Sequence, residues 1–518
     1  MQLEYYLRIS QAQGPKTVTR KSEKRSRVIN LYVVVLAVIV AVLLSVSILR
    51  SRTVKNKADF LVAGRSLPAY VLVGTLLCSW IGAGALFAGA ENAFRNGFSA
   101  LWQPAGGWAG LIIIYFVAPR ARKFAEYTLP DLLETRYNTA ARVLATIAIL
   151  FAYTAITSYQ FKGGGDILHL ATGIDNTLGM YIVAGFVIVF TALAGMSSIA
   201  YLDVVIGVLV MGITLRATPM LFYKAGGWEG LHAALPADRF QVLGHLTFTK
   251  AMEFFVPMFL LMLGNQTMYQ KFFSARSAKD AKVAVAGWIL GDLFLETMII
   301  AMAVFGAALF GANPELANKP RETIPFVARY GMPTFMGALL MGAVFAKLIS
   351  TANNYLFSPA TNLINDVYCR FIDKDASQPR ILQVSRVIVF LLGLFALLQG
   401  AYWTSVLAMA FYAYTIYAAA ITPVVMATFF WRRANAVGAV WSIALGTVVT
   451  IAWNYAGKHF LPASWAERAA IFPALAASLL ALVVVSLVTP PPRREQWAPF
   501  VIDDDASAPG GALAQEGN

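Results

Sequence analysis

Long apolar runs separated by short polar and basic loops repeat along almost the whole chain. About 13 of these runs reach the length of a membrane-spanning helix. They lie at 28–49, 68–94, 99–118, 142–161, 178–195, 199–222, 251–269, 284–310, 334–358, 383–400, 404–431, 436–455 and 469–488. Because helices are the structures that satisfy the backbone inside lipid in such runs, the pattern predicts an all-α polytopic membrane protein with about 13 transmembrane helices.

The two ends of the chain differ from the apolar runs. A basic segment precedes the first run, as it does in a secretory signal, but the run is too long for a signal and lacks small residues at a cleavage site. We therefore predict a transmembrane helix at 29–49 after a polar, basic N-terminal tail at 1–28. The acidic segment at 489–518, which contains Gly and Ala, predicts a disordered cytoplasmic tail.

Composition supports the membrane class. Of 518 residues, 58% are hydrophobic and 13% are charged, and the mean hydropathy is +0.63. A soluble chain carries roughly 25% charged residues. The net charge of +14 lies mostly in short loops, which argues against nucleic-acid binding. The two cysteines, one inside a span and one in a loop, give no disulfide framework, and the four histidines, at span ends or in loops, give no zinc site or histidine relay. We therefore expect the protein to lie in a lipid bilayer.

The loop charges indicate an orientation. Loops at 50–65, 120–142, 271–282, 370–386 and 432–433 share one side and hold more Lys and Arg than the opposite loops. The positive-inside rule places that side and the C-terminus in the cytoplasm of a multi-pass protein of the cell (plasma or inner) membrane. The basic N-terminal tail then lies outside, so charge alone supports this orientation weakly. Arg216 and Lys347 are the cations left inside predicted spans.

A polar face inside the span at 334–358 is the strongest functional signal. Its members recur at helical spacing and therefore share one face: Lys347, Ser350, Thr351 and Asn354. A charge at bilayer depth costs about 3 kcal/mol on insertion scales, so such residues face a bundle interior or a water-filled path. We expect the other helices to surround this face.

Two other spans contain helix-breaking residues. The span at 68–94 holds Gly82 and Gly84 near its middle, and the span at 251–269 holds Pro257 and Gly264. A pair of interrupted helices at matching positions of two halves indicates an inverted-repeat transporter whose site lies at the breaks. The alternative is that these glycines serve only close helix packing.

Several segments of the chain resemble the sodium:solute symporter family, which includes the proline, pantothenate and sodium/glucose cotransporters. Together they cover 59–433 in family order: DFLVAGRSLP at 59–68, YTLPDLLETRY at 127–137, YLDVVIG at 201–207, QKFFSARSAKDA at 270–281, STANN at 350–354, ATNLINDVY at 360–368 and AITPVVMATFFWRR at 420–433. The resemblance implies a secondary active transporter, in the main a sodium-coupled symporter of a small organic solute.

The resemblance also implies a fold, a five-plus-five inverted repeat of the leucine-transporter type with the N-terminus outside. The first repeat spans 59–222 and the second 250–433. An extracellular loop at 223–249 joins them, and two further helices at 434–488 follow.

The family's sodium site carries over onto five positions. The implied ligands are the carbonyls of Cys78, Ile81 and Lys347 and the hydroxyls of Ser350 and Thr351. Neutral oxygens suit a hard cation that must also be released. The alternative for both hydroxyls is a hydrogen bond to the carbonyl one helical turn earlier. No cofactor other than Na⁺ is implied.

Lys347 departs from the family, which generally has a small residue there. Two positive charges 4 Å apart repel by about 4 kcal/mol at an effective dielectric of 20. Three interpretations stay open. The lysine moves away or is neutral when sodium binds; it replaces sodium in a sodium-independent or proton-coupled carrier; or it forms a structural pair with Asp203.

Other intramembrane charges are Arg216, Asp292 and Glu296. The two carboxyls lie one turn apart on one face and are able to share a cation or a proton. Structural pairing with Arg216 is the competing interpretation.

The solute site is expected at the level of the two breaks. Candidate residues there are Ser79, Trp80, Gly82, Gln160, Asn265 and Gln266, with Lys162, Tyr412, Tyr414 and Tyr417 nearby. Tyrosines at such positions more often serve packing or the membrane interface. These residues do not identify the solute.

Two competing classes find less support. A channel would need a repeated filter or rings of like charge, and neither is present in the sequence. An intramembrane enzyme would need a motif such as H-E-x-x-H or G-x-S-x-G, and the sequence has none. We therefore predict a carrier and not an enzyme.

Overall fold

The computed structural model describes residues 15–51, 56–124, 127–193, 195–402, 405–457, 460, 462 and 468–501. These residues form helices joined by short turns, and within them no sheet occurs beyond one isolated bridge between Leu67 and Ala275. The predicted all-α class is confirmed.

The helices are numbered here in chain order. They are α1 Pro15–Ser51, α2 Lys57–Val62, α3 Ala69–Trp80, α4 Ala90–Asn96, α5 Trp102–Lys123, α6 Leu129–Arg136, α7 Thr139–Thr172, α8 Asn176–Leu193, α9 Met196–Lys224, α10 Gly227–Ala234, α11 Phe248–Gly264, α12 Gln266–Ser274, α13 Ala278–Phe310, α14 Pro314–Asn318, α15 Thr323–Phe326, α16 Thr334–Asn362, α17 Gln378–Tyr402, α18 Val406–Ala420, α19 Thr422–Phe430, α20 Ala436–Ala452, α21 Ile471–Val488 and α22 Arg494–Trp497.

Eleven helical segments of the described chain are long and apolar enough to cross a bilayer. Each of the 13 predicted runs coincides with helix in the structure. The two numbers differ because two spans are interrupted: α3 is a shorter apolar helix, and α11 has 17 residues. The interruption shortens each piece below the length that a continuous span requires.

Both predicted breaks are present. Ile81 is extended after α3, with φ −79° and ψ 112°, and Asn265 is extended between α11 and α12, with φ −64° and ψ 108°. Close packing needs a glycine beside the first break. A Cβ on Gly82 would lie 2.6 Å from the Thr351 side chain and 2.9 Å from Gln160. The first break is therefore pressed against α16 and α7.

Helix α16 lies at the centre of the bundle. It packs on α7, α9 and α1, and every residue from 340 to 362 is buried. The polar face predicted on this helix is therefore covered by other helices and does not meet lipid. This agrees with the cost of exposing a charge to hydrocarbon.

The predicted tails at both ends need partial correction. Helix α1 begins at Pro15, inside the segment predicted as a tail, and residues 1–14 lie outside the described residues. At the other end, 489–501 is ordered: the Phe500 ring stacks on Phe124 at 4.4 Å, and Arg120 donates a hydrogen bond to the Val501 carbonyl. The structured part of the chain therefore reaches further at both ends than composition indicated, because α1 forms at one end and Phe500 packs on Phe124 at the other. Residues 502–518 lie outside the described part.

Candidate functional site

Three main-chain carbonyls meet one hydroxyl where the first break faces α16. The Thr351 hydroxyl lies 3.0 Å from each of the carbonyl oxygens of Cys78, Ile81 and Lys347. The carbonyls of Cys78 and Ile81 are available because the backbone leaves helical geometry at Ile81. These four oxygens, which we call the carbonyl cage, are four of the five groups predicted to hold sodium.

The side chain of Lys347 occupies one side of the carbonyl cage. Its ammonium donates to the Cys78 carbonyl at 2.5 Å and to the Leu77 carbonyl at 3.1 Å. The residue is 1% exposed. The Lys347 side chain therefore already interacts with an oxygen that was predicted to bind sodium.

The fifth predicted ligand, Ser350, turns away from the cage. Its hydroxyl donates to Asp203 Oδ1 at 2.5 Å. Asp203 Oδ2 accepts from the Thr75 hydroxyl at 2.6 Å and from the Asn354 amide at 3.0 Å. This buried carboxyl is thus held by three donors from α3 and α16.

The ion pair considered between Lys347 and Asp203 does not form. Neither residue makes an ion pair in the described part of the chain, although both are buried. The carboxyl oxygens of Asp203 are engaged by neutral donors, whereas the Lys347 ammonium reaches backbone carbonyls instead. The two residues are linked indirectly, because Cys78, whose carbonyl meets Lys347, also donates its thiol to the Asp203 carbonyl at 3.1 Å.

A second buried lysine was missed by the sequence interpretation. Lys271, counted there among loop charges, lies fully buried on α12, and its ammonium donates to Asn354 Oδ1 at 2.7 Å. Asn354 therefore connects Lys271 to Asp203. Arg216 lies inside a span, as expected, and its side chain is on the exposed face of α9. A short helix after a break resembles a loop in sequence, which explains the error at Lys271.

A small cavity of about 10 Å³ lies beside the carbonyl cage. We call it the solute cavity, and it is lined by Trp80, Gly82, Gly84, Tyr159, Gln160, Met258, Leu261, Thr351, Tyr355 and Tyr414. None of these side chains carries a formal charge. Its polar groups are tied to the breaks: Gln160 accepts from the Ala83 amide at 2.8 Å, and the hydroxyls of Tyr159 and Tyr414 lie 3.2 Å apart.

The structure brings Trp80, Gly82, Gln160 and Tyr414 to this cavity but not the other predicted solute residues. The Ser79 hydroxyl donates back to the Thr75 carbonyl at 2.6 Å. Tyr412 packs on the Tyr455 ring, and Lys162 is half-buried away from the lining.

Asn265 and Gln266 stabilise the second break instead of lining the cavity. Asn265 accepts from the Tyr153 hydroxyl at 2.8 Å and donates to Tyr355 at 2.9 Å. The Gln266 side chain donates to Ser358 and Asn362, and its backbone amide donates to the Tyr417 hydroxyl at 2.9 Å. This satisfies backbone groups that the break leaves without helical partners.

Four lining residues were not predicted: Tyr159, Met258, Leu261 and Tyr355. Two of them carried a usable signal, since Tyr159 directly precedes Gln160 and Tyr355 lies one turn beyond Thr351 on the same face. Met258 and Leu261 are apolar residues of an apolar helix, and no sequence pattern separates them from their neighbours.

Comparison with known proteins is consistent with this geometry. The model of the family described as "Sodium:solute symporter family" matches residues 60–446. Relatives include the high-affinity proline transporter PutP of Bacillus subtilis (strain 168), 26% identical over 466 residues that cover 85% of this chain and 94% of the relative. They also include a sodium/proline symporter of Salmonella typhimurium, 26% identical over 477 residues that cover 88% and 92%.

Solved structures share the fold. A Na⁺-coupled sialic acid symporter in a substrate-bound outward-open state superimposes with a TM-score of 0.77 at 18% identity, covering 89% of this chain and 99% of that one. Mhp1, a nucleobase-cation-symport-1 family transporter, superimposes with a TM-score of 0.56 at 14% identity, covering 86% and 99%. The predicted leucine-transporter-type fold is confirmed.

Proposed function

The chain belongs to the sodium:solute symporter family, and we propose that it moves a small neutral or zwitterionic solute together with Na⁺ across the cell membrane by alternating access. It is a multi-pass membrane transporter of a small solute and not an enzyme. We place its N-terminus outside and its C-terminus in the cytoplasm.

The observation that carries the proposal is the carbonyl cage. Four neutral oxygens converge between the broken helix and α16: the Thr351 hydroxyl and three carbonyl oxygens that each lie 3.0 Å from it. Neutral oxygens are the ligands that a hard monovalent cation prefers. Because half of the cage belongs to the end of α3 and half to α16, a cation bound there would hold these two helices together, and its release would let them separate.

Lys347 sets a condition on sodium binding. Its ammonium is hydrogen-bonded to the Cys78 carbonyl, one of the cage oxygens. Two unit charges at about 4 Å repel by about 4 kcal/mol at an effective dielectric of 20. Sodium therefore binds only when the ammonium moves off Cys78 or loses its proton, and the two cations alternate at one place.

The lining of the solute cavity supports the solute class. Aromatic rings and one amide surround it, and no charged side chain is present to balance a net charge on the solute. An uncharged or zwitterionic molecule suits such a lining, and the cavity of about 10 Å³ has to widen before it can hold one. Two of the relatives are named as proline transporters, so proline is the first solute to test.

A second candidate function is sodium-independent transport. It is favoured by the hydrogen bond of 2.5 Å from the Lys347 ammonium to the Cys78 carbonyl. In this alternative, the ammonium permanently supplies the positive charge that sodium supplies elsewhere in the family. The bundle would then need no external cation to join α3 to α16.

Uptake of radiolabelled proline into proteoliposomes tests both candidates. Sodium-coupled symport predicts uptake that requires an inward sodium gradient and that falls to background when choline replaces sodium. Thr351→Val should abolish this uptake because it removes the central hydroxyl of the cage, whereas the matched variant Thr351→Ser should retain it. Uptake in choline that is lost in Lys347→Ala would instead establish the second candidate.

A screen of other small solutes covers the case in which proline is not the transported solute. Thermal stabilisation by small solutes, with and without sodium, detects binding directly, since a ligand at about 100 times its dissociation constant stabilises by about 2.7 kcal/mol. A protein that neither binds any solute of this class nor shows saturable counterflow would contradict the proposal.

A further inference from the structure

Two buried carboxyls on α13 lack the partners that buried charges require. Asp292 is fully buried and Glu296 is 4% exposed. Both side-chain oxygens of Asp292 and one oxygen of Glu296 are enclosed without any hydrogen bond. In the described part of the chain neither residue forms an ion pair, and Arg216, the partner considered from sequence, is exposed on another helix.

Such carboxyls are not stable as a pair of anions. An ionised carboxylate without donors in a low-dielectric interior is so costly that the group takes up a proton instead. Asp292 and Glu296 also lie one turn apart on the same helix, so two negative charges would repel each other there. At least one of the two therefore carries a proton or binds another cation.

The region beside Glu296 has room for little more than a water-sized occupant. A cavity of about 20 Å³ is lined by Trp80, Gln103, Met258, Glu296 and Tyr414, together with apolar neighbours. A water or proton carrier fits this space.

An independent feature of the same cavity wall also lacks a partner. The indole N–H of Trp80, which is 8% exposed, donates no hydrogen bond. Trp80 and Glu296 line the same cavity, and the indole is close enough to act on the carboxyl as a donor, although its geometry falls outside that of a full hydrogen bond. The Trp80 indole N–H is therefore placed to donate to Glu296 when the carboxyl is ionised. A protonated Glu296 does not require this hydrogen bond.

This cavity adjoins the solute cavity. Trp80, Met258 and Tyr414 line both. A change of charge on Glu296 therefore occurs directly behind the wall that the solute touches.

Few other charges act on the pair. Lys347 on α16 lies near enough to interact with both carboxyls, and Tyr414 on α18 interacts with Glu296.

The titratable groups on the other helices packed against α13 are engaged elsewhere or lie far along the helix. Asp203 on α9 accepts a hydrogen bond from Ser350, and the Cys78 thiol on α3 donates to the Asp203 carbonyl. Helices α4 and α5 carry their charged residues toward their ends, at Glu91 and Arg95 in α4 and at Arg120, Arg122 and Lys123 in α5.

The charge balance favours a single shared proton. The Lys347 ammonium is bonded only to neutral carbonyls. One negative charge on the nearby pair would balance it, and full protonation of the pair would leave it unbalanced. A further proton thus changes the net charge around both the carbonyl cage and the solute cavity.

We propose that Asp292 and Glu296 form a proton-binding site whose protonation accompanies solute binding. Resting on the proposed function, this site gives the carrier a proton as an additional coupled cation. The proton enters from the water on the side to which the solute cavity is open and leaves on the opposite side. Neutralising Glu296 lets the solute cavity close without enclosing an unpartnered anion.

Infrared spectroscopy of the purified full-length protein in liposomes tests the site without any solute. The stretching band of protonated carboxyl groups is recorded from about pH 5 to about pH 9. This range begins near the pKa values of ordinary carboxyls and extends well above them. Part of this band should persist at neutral pH and disappear in Glu296→Gln. Spectra of the wild type and Glu296→Gln that coincide across the range would overturn the proposal.

The matched control is Glu253→Gln. Glu253 is also buried, but it accepts from the Lys250 ammonium at 2.6 Å and from the Ala469 amide at 3.3 Å. Its oxygens have the donors that the oxygens of the α13 pair lack, so this variant should leave the neutral-pH band unchanged. Loss of the same band in Glu253→Gln would mean that it does not come from the α13 pair.

Proton movement tests the coupling. Proteoliposomes with equal sodium on both sides receive a proline gradient, and a pH-sensitive dye follows the external medium. The wild type should make the medium alkaline as proline enters, and Glu296→Gln should reduce this signal by at least about tenfold, while Glu296→Asp retains it. Proline uptake without proton movement would overturn the proposal. Absence of any proline uptake would instead count against proline as the solute of the proposed function, and the infrared result would still decide the proton site.

Discussion

The ammonium of Lys347 and the hydroxyl of Thr351, one turn apart on α16, both donate to the main-chain oxygen of Cys78. The distances are 2.5 Å and 3.0 Å. One carbonyl at the end of a broken helix thus interacts with a fixed positive charge and with the hydroxyl that centres the carbonyl cage. Whatever cation binds in the cage has to compete with this ammonium.

Removing the ammonium should strengthen sodium binding. In Lys347→Ala, relief of a repulsion of up to about 4 kcal/mol predicts a fall in the half-saturating sodium concentration of about tenfold to a thousandfold. Thermal stability of the purified protein titrated with sodium measures this. Lys250→Ala, at an exposed lysine of α11, should not change the sodium response. An unchanged response in Lys347→Ala would contradict the assignment of the cage as a cation site.

Asp203 and Ser350 should be energetically coupled. Hydrogen bonds to charged groups contribute about 1.5 to 3 kcal/mol, so a double-mutant cycle with Asp203→Asn and Ser350→Ala should give a coupling of about 1 to 3 kcal/mol in the free energy of unfolding. Ser385 provides the control, because its buried hydroxyl donates to the Ile381 carbonyl of its own helix. Ser385→Ala should be additive with Asp203→Asn within about 0.5 kcal/mol. Equal coupling for both serines would show that the contact at 2.5 Å has no specific energetic role.

A methyl group at Gly84 should close the solute cavity. A Cβ there would overlap the Tyr414 hydroxyl, while the next ring atom, Cζ, is 3.4 Å away. Gly84→Ala should therefore weaken solute binding by at least about tenfold, and Tyr414→Phe in the same protein should restore part of it by removing the overlapping oxygen. Gly185→Ala, where nothing lies within 4 Å, should bind solute normally. Binding measured by thermal shift would contradict this account if the double variant were no better than Gly84→Ala.

Glu322 should make stability depend on pH. Burial, with Asp166 nearby, raises the pKa of Glu322, which lies between α14 and α15, to about 7. The folded protein then binds the proton more tightly than the unfolded chain, so the free energy of unfolding should fall as pH rises from about 4.5 to about 7 and level off above that. The loss amounts to about 3 kcal/mol at most.

Thermal denaturation across this pH range checks the contribution of Glu322. Glu322→Gln should remove this part of the pH dependence, because glutamine does not titrate. Glu315→Gln, at an exposed position of α14, should leave the wild-type profile intact. A Glu322→Gln profile parallel to that of the wild type would assign the pH dependence to other groups.

The elements were predictable because each depends on a local pattern. Apolar runs of spanning length gave every long helix, and glycines with polar neighbours located both breaks to within a few residues. The boundaries of the domains stay a prediction. The predictions failed at two places. The short amphipathic helix α12 carries Lys271 and follows a break, so its charge was assigned to a loop, and the long helix α1 extends into a segment whose composition suggested a tail.

The site was predictable only in part. Helical spacing correctly placed Lys347, Ser350 and Thr351 on one buried face. It did not reveal that Ser350 turns to Asp203 while Thr351 turns to Cys78, because adjacent residues on a helix point about 100° apart and meet different neighbours. Asn265 and Gln266 lie at their predicted break, yet their amides hold backbone and tyrosines in place of solute.

The sequence by itself determined that this is a helical membrane protein with two broken helices and one polar face that has to be buried. These follow from hydropathy and from backbone chemistry, which act over a few residues. The tertiary structure alone decided that the Lys347 ammonium donates to the Cys78 carbonyl, that Asp203 accepts hydrogen bonds from three side chains, and that Asp292 and Glu296 have no ion-pair partner among the described residues. Such contacts join positions far apart in the chain, and their distances depend on how the helices pack and not on any spacing within one of them.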